Sequence, residues 1–393
     1  MESVFIASAV RTAIGRFGGS LAHLSAVDLA VVAVKEALKR SGVEPEVVGE
    51  TIIGNARQAG NGPNVARQIS FRSGIPKEVS AYTVNKACGS GLKAILLAHQ
   101  EILLGNSKIM VAGGTESMSR VPYLVDNGRW GLRMGNQPLT DGMYRDGFFC
   151  PLADMVMGAT AENLATIHKI SRDVQDEFAV RSQKRATQAI TSGRFADEIV
   201  AVQLQSKKGE VCDFTVDEHV RMEVALEDMR KLPPVFSRTG TVTAGNSSGI
   251  TDGAAATVLV AESEISRLGL KPLARIVDFA VAGVDPQIMG IGPVPAIQKL
   301  LAKTRLKLDD FGLIELNEAF AAQVIACMRE LPFDEDRLNV NGGAIALGHP
   351  IGCTGARIVT TLVHEMRKRK TQYGLATLCI SGGMGIAMAL ERV

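Results

Sequence analysis

The sequence lacks a strong charge of either sign. Lys and Arg number 43 against 41 Asp and Glu, which gives a formal net charge of +2. The single basic cluster, at 367–370, is typical of the solvated end of a helix, so no nucleic-acid partner is expected. Apolar runs are short and interrupted by glycine, so no membrane-spanning segment is predicted. The first residues lead directly into a strand-like run without the regions of a signal peptide.

Paired cysteines are also absent. The six cysteines are scattered, at positions 88, 150, 212, 327, 353 and 379, with no Cys-x-x-Cys spacing. This pattern disfavours a zinc site and a disulfide framework, and it favours a reducing, cytoplasmic compartment. Cys353 follows His349 by four residues, but no third ligand accompanies the pair, so we expect no metal.

What the chain does contain is a globular composition with a regular order of elements. Hydrophobic residues make up 46% and charged residues 21% of 393 residues, enough for two or three domains. β-prone runs alternate with helical patterns up to residue 117 and again from about residue 250. This alternation predicts an α/β fold with a largely parallel sheet. The long insertion between the two regions is expected to act as a lid or binding surface.

The stretch from Val84 to Leu104 is the one around which the chain is organised. A β-prone run ends just before Cys88, which lies in a Cys-Gly-Ser-Gly turn, and a helical apolar pattern follows. Unpaired N–H groups and the positive dipole end at a helix start stabilise a thiolate and lower its pKa. Cys88 is therefore a candidate nucleophile, although a buried structural cysteine is an equally good interpretation of the turn alone.

The second half of the chain repeats this plan. The turns at 88–91 and 353–355 each open a helix, a strand follows, and glycine pairs at 113–114 and 382–383 end the strands. The offset between equivalent positions is 264 to 269 residues. We predict two similar α/β halves whose turns face one cleft, because such folds place their sites at strand ends.

Three further segments place polar or nucleophilic side chains at strand ends or in glycine-rich loops. They are Asn317-Glu318-Ala319-Phe320, the loop 341–352, and Cys379-Ile380-Ser381-Gly382-Gly383-Met384-Gly385. His349 is flanked by glycine and proline, so its imidazole lies on a loop whose backbone conformation these residues define. The other five histidines have no such setting and are interpreted as structural.

With the Cys88 turn, these segments occur in the order and spacing of the thiolase family. The sequence resembles that family from end to end, and its short-chain members most. The resemblance implies duplicated α/β halves in five layers (αβαβα), an inserted lid that binds coenzyme A, and a homotetramer formed as a dimer of dimers. The expected domains are 1–117 with 250–270, the lid at 118–249, and 271–393. Coenzyme A and acetyl-CoA are then substrates, and no cofactor is bound permanently.

The resemblance also implies catalytic roles. Cys88 is the acylated nucleophile, His349 its base, and Cys379 the base that removes the α-proton of a second acetyl-CoA. Asn317 holds a water that, with His349, binds the enolate oxygen. The backbone N–H groups of Cys88 and Ser381 bind the oxyanion of the acyl-enzyme. Because the family usually has glycine at position 381, we expect a negative φ at Ser381.

The substrate contacts follow from the same resemblance. It implies that the acyl group and the end of pantetheine pack against Met157, Met289 and Phe320. Pantetheine is expected to contact Phe236, Ala244 and Ser248, and Arg221 is expected near the adenine nucleotide. Val156 stands where short-chain members often carry histidine.

The leading hypothesis is an acyltransferase that performs a reversible thioester Claisen condensation. Two acetyl-CoA give acetoacetyl-CoA and CoA, by a ping-pong route through a Cys88 acyl-enzyme. The nearest alternative is a degradative 3-ketoacyl-CoA thiolase that acts on longer chains in fatty-acid β-oxidation. A ketosynthase of the decarboxylating or carrier-protein-dependent type lacks the second cysteine, and a silent acyl-CoA-binding relative is expected to have lost a reactive group. The presence of Cys379 disfavours the ketosynthase, and the presence of all the reactive groups disfavours the silent relative.

Overall fold

The computed structural model describes residues 2–205 and 209–393. The strands are, in chain order, β1 (Val4–Thr12), β2 (Gly15–Arg16), β3 (Glu50–Gly54), β4 (Ser80–Val84), β5 (Ile109–Ser117), β6 (Tyr123–Leu124), β7 (Thr140–Asp141), β8 (Phe149–Cys150), β9 (Met155–Val156), β10 (Ile199–Val200), β11 (Val202–Gln205), β12 (Val211–Phe214), β13 (Thr251–Ala261), β14 (Ala274–Gly283), β15 (Phe311–Leu316), β16 (Tyr373–Ile380) and β17 (Met384–Arg392). The helices are α1 (Ala26–Ser41), α2 (Val65–Arg72), α3 (Ser90–Leu103), α4 (Met157–Ile167), α5 (Arg172–Thr191), α6 (Leu226–Arg230), α7 (Glu262–Leu268), α8 (Pro293–Thr304), α9 (Ala321–Glu330), α10 (Ala344–Leu347) and α11 (Ile351–Arg369).

Helix starts follow the sequence signals. Ser25 caps α1 by accepting the Asp28 N–H, and the Asp28 side chain accepts from Ser25 in return, which completes a capping box. Gly42 ends the helix in the left-handed region, with a φ of 71°. Ser171 caps α5 by accepting the Val174 N–H.

The sheet of each half is mixed. In the first half the strand order is β4-β3-β5-β13-β1, and in the second half it is β15-β16-β17-β14. β3 is parallel to β4 and β5, and β15 is parallel to β16, whereas β13 and β17 are antiparallel to their neighbours. The prediction of a largely parallel sheet is therefore only partly right. The reason is that β16 and β17 form a hairpin, and β5 and β13 pair in the equivalent way.

The two sheets share one plan and are joined edge to edge. β1 and β14 pair antiparallel through Phe5 with Arg275 and Ile6 with Ala274. Beside β15, Leu338 forms a single parallel bridge to Ile314, at the place that β4 occupies in the first half. The segment at 337–340 thus adds only this one bridge to the sheet.

Helices fill three layers around the sheets. Alternate residues of β5 face opposite sides: Met110 and Ala112 pack in the apolar cluster of α3 and α11, and Ile109 and Val111 pack in that of α1 and α2. α3 and α11 therefore lie between the two sheets, while α8 and α9 cover the outer face of the second one. This is the five-layer αβαβα arrangement of duplicated halves.

The central helices cross with backbone against backbone. A Cβ at Gly91 of α3 would lie 2.8 Å from the Ala356 nitrogen, and a Cβ at Gly355 of α11 would overlap the backbone of Leu92. Neither position has space for a side chain, so both require glycine. Gly91 and Gly355 occupy equivalent places in the internal repeat, and the close approach of α3 and α11 at these glycines brings the two repeated turns together.

The long insertion replaces a short hairpin turn. In the second half three residues, 381–383, connect β16 to β17. In the first half the equivalent strands, β5 and β13, are connected by residues 118–250, which include α4, α5 and α6. α4 and α5 pack against α9. The insertion therefore reaches from the first half onto the second, at the end of the molecule where Cys88 and His349 lie.

Candidate active site

Cys88 lies in the turn that joins β4 to α3. The Ser90 hydroxyl accepts the Lys86 N–H and donates to the Ala87 carbonyl, while the Asn85 side chain accepts the Ala87 N–H. These bonds hold Ala87 in the left-handed region, with a φ of 45° that is uncommon outside glycine. The turn is thereby fixed with Cys88 on the wall of a cavity.

Burial dominates the protonation of Cys88. It raises the pKa of the thiol, while the backbone N–H of Ser381 and the charge of Arg57 act in the opposite direction. The sequence-based expectation of a lowered pKa is thus wrong for the unliganded chain, because desolvation disfavours the thiolate more than its neighbours stabilise it. The thiol is held mainly as the neutral form and needs a base.

Ser381 begins the hairpin turn between β16 and β17. The left-handed conformations of this turn belong to Gly382 and Gly383, with φ values of 87° and 81°. Ser381 is not among the described non-glycine residues with positive φ, so the expectation of a negative φ is confirmed. Its N–H remains available to the Cys88 sulfur.

His349 is held by the loop that leads into α11. Its backbone N–H donates to the Gly249 carbonyl at 3.0 Å. Its Nδ1 lies 2.6 Å from the Thr354 hydroxyl, which donates to the Pro350 carbonyl at 3.0 Å. A hydroxyl has one hydrogen, so Nδ1 carries the imidazole proton and Nε2 has a free lone pair.

The free nitrogen of His349 is buried without a hydrogen-bond partner among the described residues. Burial, followed by the charges of Arg357 and Arg57, lowers the pKa of His349 to about 3. The imidazole is therefore neutral at physiological pH, and it lines the same cavity as Cys88. A neutral imidazole with an unused lone pair has the form required of a general base.

Cys379 lies near the end of β16 and is fully buried. Burial first, and then the neighbouring Cys88 and Cys327, raise its pKa well above the ordinary value. It packs in one apolar cluster with Met157, Met289 and Phe320. The thiols of Cys88 and Cys379 are thus close enough to interact electrostatically.

Asn317 follows β15 and is completely buried. Its backbone N–H donates to the Thr377 carbonyl at 3.0 Å. Neither Nδ2 nor Oδ1 of the side chain has a hydrogen-bond partner among the described residues. A buried amide with both groups unpaired is costly unless a water or ligand binds there.

The cavity has a volume of about 390 Å³, within the range of pockets that bind small molecules. Seven predicted site residues line it: Cys88, Met157, Ser248, Met289, Phe320, His349 and Ser381. Phe236 does not, but its ring packs edge-to-face on that of Phe320 with centroids 6.1 Å apart. Both halves and the insertion thus contribute residues to the wall of this cavity.

Two predicted coenzyme A contacts lie away from this cavity. Arg221 and Ala244 are exposed, and neither lines the cavity. The Arg221 backbone N–H donates to the Gln183 side chain at 2.9 Å. Their contact with coenzyme A stays a prediction.

Two functional neighbours were not predicted from the sequence. Glu116, at the end of β5, accepts hydrogen bonds from Asn55 Nδ2 and from the backbone N–H groups of Ala56, Arg57 and Gly352, at 2.7 to 3.1 Å. It joins the loop after β3 to the start of α11. Arg57 itself lines the cavity. An acidic residue after a glycine pair was visible in the sequence, but nothing marked it as buried.

Across 2–205 and 209–393, no group of three or more His, Cys, Asp or Glu side chains is arranged to hold a metal ion. In that part of the chain no helix has both the length and the apolar character needed to cross a bilayer.

A duplicated five-layer fold with two cysteines and a histidine near one cavity defines a thiolase-type enzyme, and the chain belongs to the thiolase family. The N-terminal domain of the family matches residues 4–263, and its C-terminal domain matches residues 270–392.

Individual relatives are similar over their whole length. The acetyl-CoA acetyltransferase of Escherichia coli (strain K12) is 51% identical over 394 residues, which covers 100% of both chains. The crystal structure of the Bacillus anthracis acetyl-CoA acetyltransferase has a TM-score of 0.98 at 46% identity and covers 100% of this chain and 99% of that one. The human mitochondrial 3-ketoacyl-CoA thiolase in complex with CoA has a TM-score of 0.95 at 44% identity, with coverage of 100% and 98%.

Proposed function

We propose that this chain catalyses the reversible condensation of two acetyl-CoA to acetoacetyl-CoA and CoA. Membership of the thiolase family and full-length similarity to enzymes named acetyl-CoA acetyltransferase support this activity. The observation that carries the mechanism is the unpartnered Nε2 of a neutral His349 on the cavity that Cys88 lines. It supplies the base that the raised pKa of Cys88 makes necessary.

In the first half-reaction, the Cys88 sulfur attacks the carbonyl of acetyl-CoA and its proton moves to His349 Nε2. The developing oxyanion accepts hydrogen bonds from the backbone N–H groups of Cys88 and Ser381, both of which also act on the Cys88 thiol. The carbon–sulfur bond of the substrate breaks, and the leaving CoA thiolate takes the proton of Cys379. An acetyl-Cys88 thioester remains.

In the second half-reaction, the Cys379 thiolate removes an α-proton from a second acetyl-CoA. The enolate oxygen is stabilised by His349 and by a water bound to the two unpaired groups of Asn317. The enolate carbon attacks the acetyl-Cys88 carbonyl, acetoacetyl-CoA forms, and the Cys88 thiolate recovers its proton from His349. All protons return to their starting positions.

Thiolysis of 3-ketoacyl-CoA substrates of increasing length tests this proposal. We expect kcat/KM to be highest for acetoacetyl-CoA and to fall as the chain lengthens. If kcat/KM is instead highest for substrates of about eight carbons or more, the chain is assigned to the degradative alternative. Complete absence of thiolysis would refute both.

The insertion at 118–249 is proposed to bind coenzyme A between the halves at 1–117 with 250–270 and 271–393. Met157, Ser248 and Phe236, on or next to the cavity, support a path for pantetheine along this segment. Arg221 and Ala244 then contact the more distant part of the ligand. A structure of the CoA complex tests this placement. A second test is whether bound CoA protects Arg221 from chemical modification.

We further propose a cytoplasmic homotetramer. The insertion exposes a group of large apolar side chains, which supports burial against another subunit: Trp130 is 82% exposed, Leu132 54%, Met134 102% and Leu139 65%. Light scattering of the wild type and of Leu132→Glu tests the assembly. If the molar mass of the wild type is that of a single subunit, the proposed tetramer is contradicted.

A further inference from the structure

Arg57 is a buried cation whose guanidinium forms no direct ion pair with any described residue. Only 5% of the residue is exposed, and its Nε has no hydrogen-bond partner in the described part of the chain. Among the described residues no carboxylate oxygen lies within ion-pairing distance of its guanidinium. A buried charge without a paired anion is unfavourable, so such an arrangement points to a missing ligand group.

The nearby acidic groups are already used. The charge of Arg57 acts on Glu116 and opposes the rise in pKa that burial causes there. The oxygens of Glu116 nevertheless accept four N–H groups, and from Arg57 they accept only the backbone N–H. The Asp146 carboxylate lies 3.4 Å from Arg145. Arg57 Nη1 donates instead to the Asp146 carbonyl at 3.0 Å. The remaining donors of the guanidinium have no anion of the protein to bind.

The position of Arg57 selects the kind of anion. It lines the cavity together with Cys88, and its charge acts on both Cys88 and His349. The phosphates of coenzyme A are separated from the thioester by the whole pantetheine arm, so they are remote when the thioester reaches Cys88. An anion that pairs with Arg57 must therefore belong to the acyl group.

We propose that Arg57 binds a terminal carboxylate on the acyl chain, and that the enzyme cleaves 3-ketoacyl-CoA substrates that end in a carboxylate. The inference rests on the proposed function and names a substrate class for the same site. A planar guanidinium suits a carboxylate, because two parallel N–H groups bind its two oxygens.

The chemistry is the proposed condensation in the reverse direction. The Cys88 sulfur bonds to C3 of the substrate as its proton moves to His349 Nε2, the C2–C3 bond breaks, and the Cys379 thiol protonates C2 as acetyl-CoA leaves. The chain that carries the carboxylate is then bound to Cys88, next to Arg57. The Cys379 thiolate takes the proton of the CoA thiol, the CoA sulfur displaces the chain as an acyl-CoA shorter by two carbons, and Cys88 recovers its proton from His349.

The test compares two six-carbon 3-ketoacyl-CoA substrates, one ending in a carboxylate and one in a methyl group, with acetoacetyl-CoA as reference. In the wild type, the kcat/KM for the carboxylate-ended substrate divided by that for the methyl-ended substrate is expected to exceed one. In Arg57→Gln, which retains a donor for the Asp146 carbonyl, loss of a buried charge pair should lower that ratio by about 100-fold. Arg57→Lys should recover part of it.

Arg145→Gln is the matched control, because Arg145 also lines the cavity but is paired with Asp126 at 2.6 Å. Its ratio should stay near the wild-type value. If the wild type cleaves acetoacetyl-CoA but prefers the methyl-ended substrate, and Arg57→Gln does not change the ratio, this inference is overturned while the proposed function stands. If the wild type cleaves none of the three substrates, the proposed function fails, and this inference fails with it.

Discussion

His349 Nδ1 and the Thr354 hydroxyl are 2.6 Å apart, and the hydroxyl donates its only hydrogen to the Pro350 carbonyl. Thr354 thereby fixes which imidazole nitrogen is protonated and leaves Nε2 free on the cavity side. The acceptor that orients a reactive histidine is supplied here by the first turn of α11 rather than by a carboxylate. Thr354 is a positioning residue, since it acts on the substrate only through His349.

Replacing Thr354 tests this relationship. In Thr354→Val the imidazole loses its acceptor, and kcat/KM for acetoacetyl-CoA thiolysis should fall by about 10- to 100-fold. Thr354→Ser retains the hydroxyl and should recover most of the activity. Thr360→Val is the control, because the Thr360 hydroxyl is also buried in α11 and donates to the Ala356 carbonyl. Equal losses in both valine variants would show that packing, and not histidine orientation, is responsible.

The raised pKa of Cys88 predicts a particular pH profile for alkylation. A thiol with a pKa above its usual range is mostly protonated at neutral pH, so the rate should rise about tenfold per pH unit and continue rising past pH 8. Iodoacetamide inactivation of a Cys212→Ser background measures it, because Cys212 is exposed. Acetyl-CoA should protect. A plateau below pH 7 would contradict the protonated thiol, and equally fast alkylation of Cys88→Ser by the same reagent, measured by mass spectrometry, would identify another reactive thiol.

Substitution of Cys379 should separate the two half-reactions. In Cys379→Ala the acetyl-enzyme should still form at Cys88, as measured by mass spectrometry after incubation with acetyl-CoA. Condensation should decrease by more than about 1,000-fold, because no thiolate remains to remove the α-proton. Cys327→Ala is a suitable control: that cysteine is also fully buried and neighbours Cys379. Full retention of condensation in Cys379→Ala would remove it from the role of base.

The stability of the fold should depend strongly on Arg11 of β1. Its guanidinium is completely buried and pairs with Glu198 at 2.6 Å and Asp217 at 2.7 Å, both of which lie in the insertion. Arg11→Leu leaves two buried carboxylates unpaired and should lower the free energy of unfolding by about 3–5 kcal/mol. Urea denaturation measures the change. Arg230→Leu removes an exposed pair with Asp173 and should change stability by less than about 1 kcal/mol. Similar effects in the two variants would contradict the importance of burial.

Much of the site could be predicted because its signals are local. The Cys88 turn and the His349 loop, flanked by glycine and proline, each depend on a few adjacent residues. The structure places Cys88 and His349 on one cavity because the two halves repeat. The repeat itself was visible in the spacing of their turns.

What escaped prediction depends on contacts between distant segments. Arg57 and Glu116 gain their surroundings only when the loop after β3 packs on Gly352, and no local pattern records that contact. The pKa of Cys88 was misjudged for the same reason. The helix start was evident in the sequence, whereas the depth of burial that opposes its effect was not.

The close approach of α3 and α11 at Gly91 and Gly355 separates what can change in this enzyme from what cannot. A methyl group at either position would push α3 from α11 and so widen the gap between the reactive sulfur and the imidazole. The side chains that line the cavity, such as Phe148 and Met157, take no part in this helix crossing. New acyl preferences can therefore evolve by exchange of wall residues, while the spacing of the reacting groups is inherited unchanged with the helix crossing.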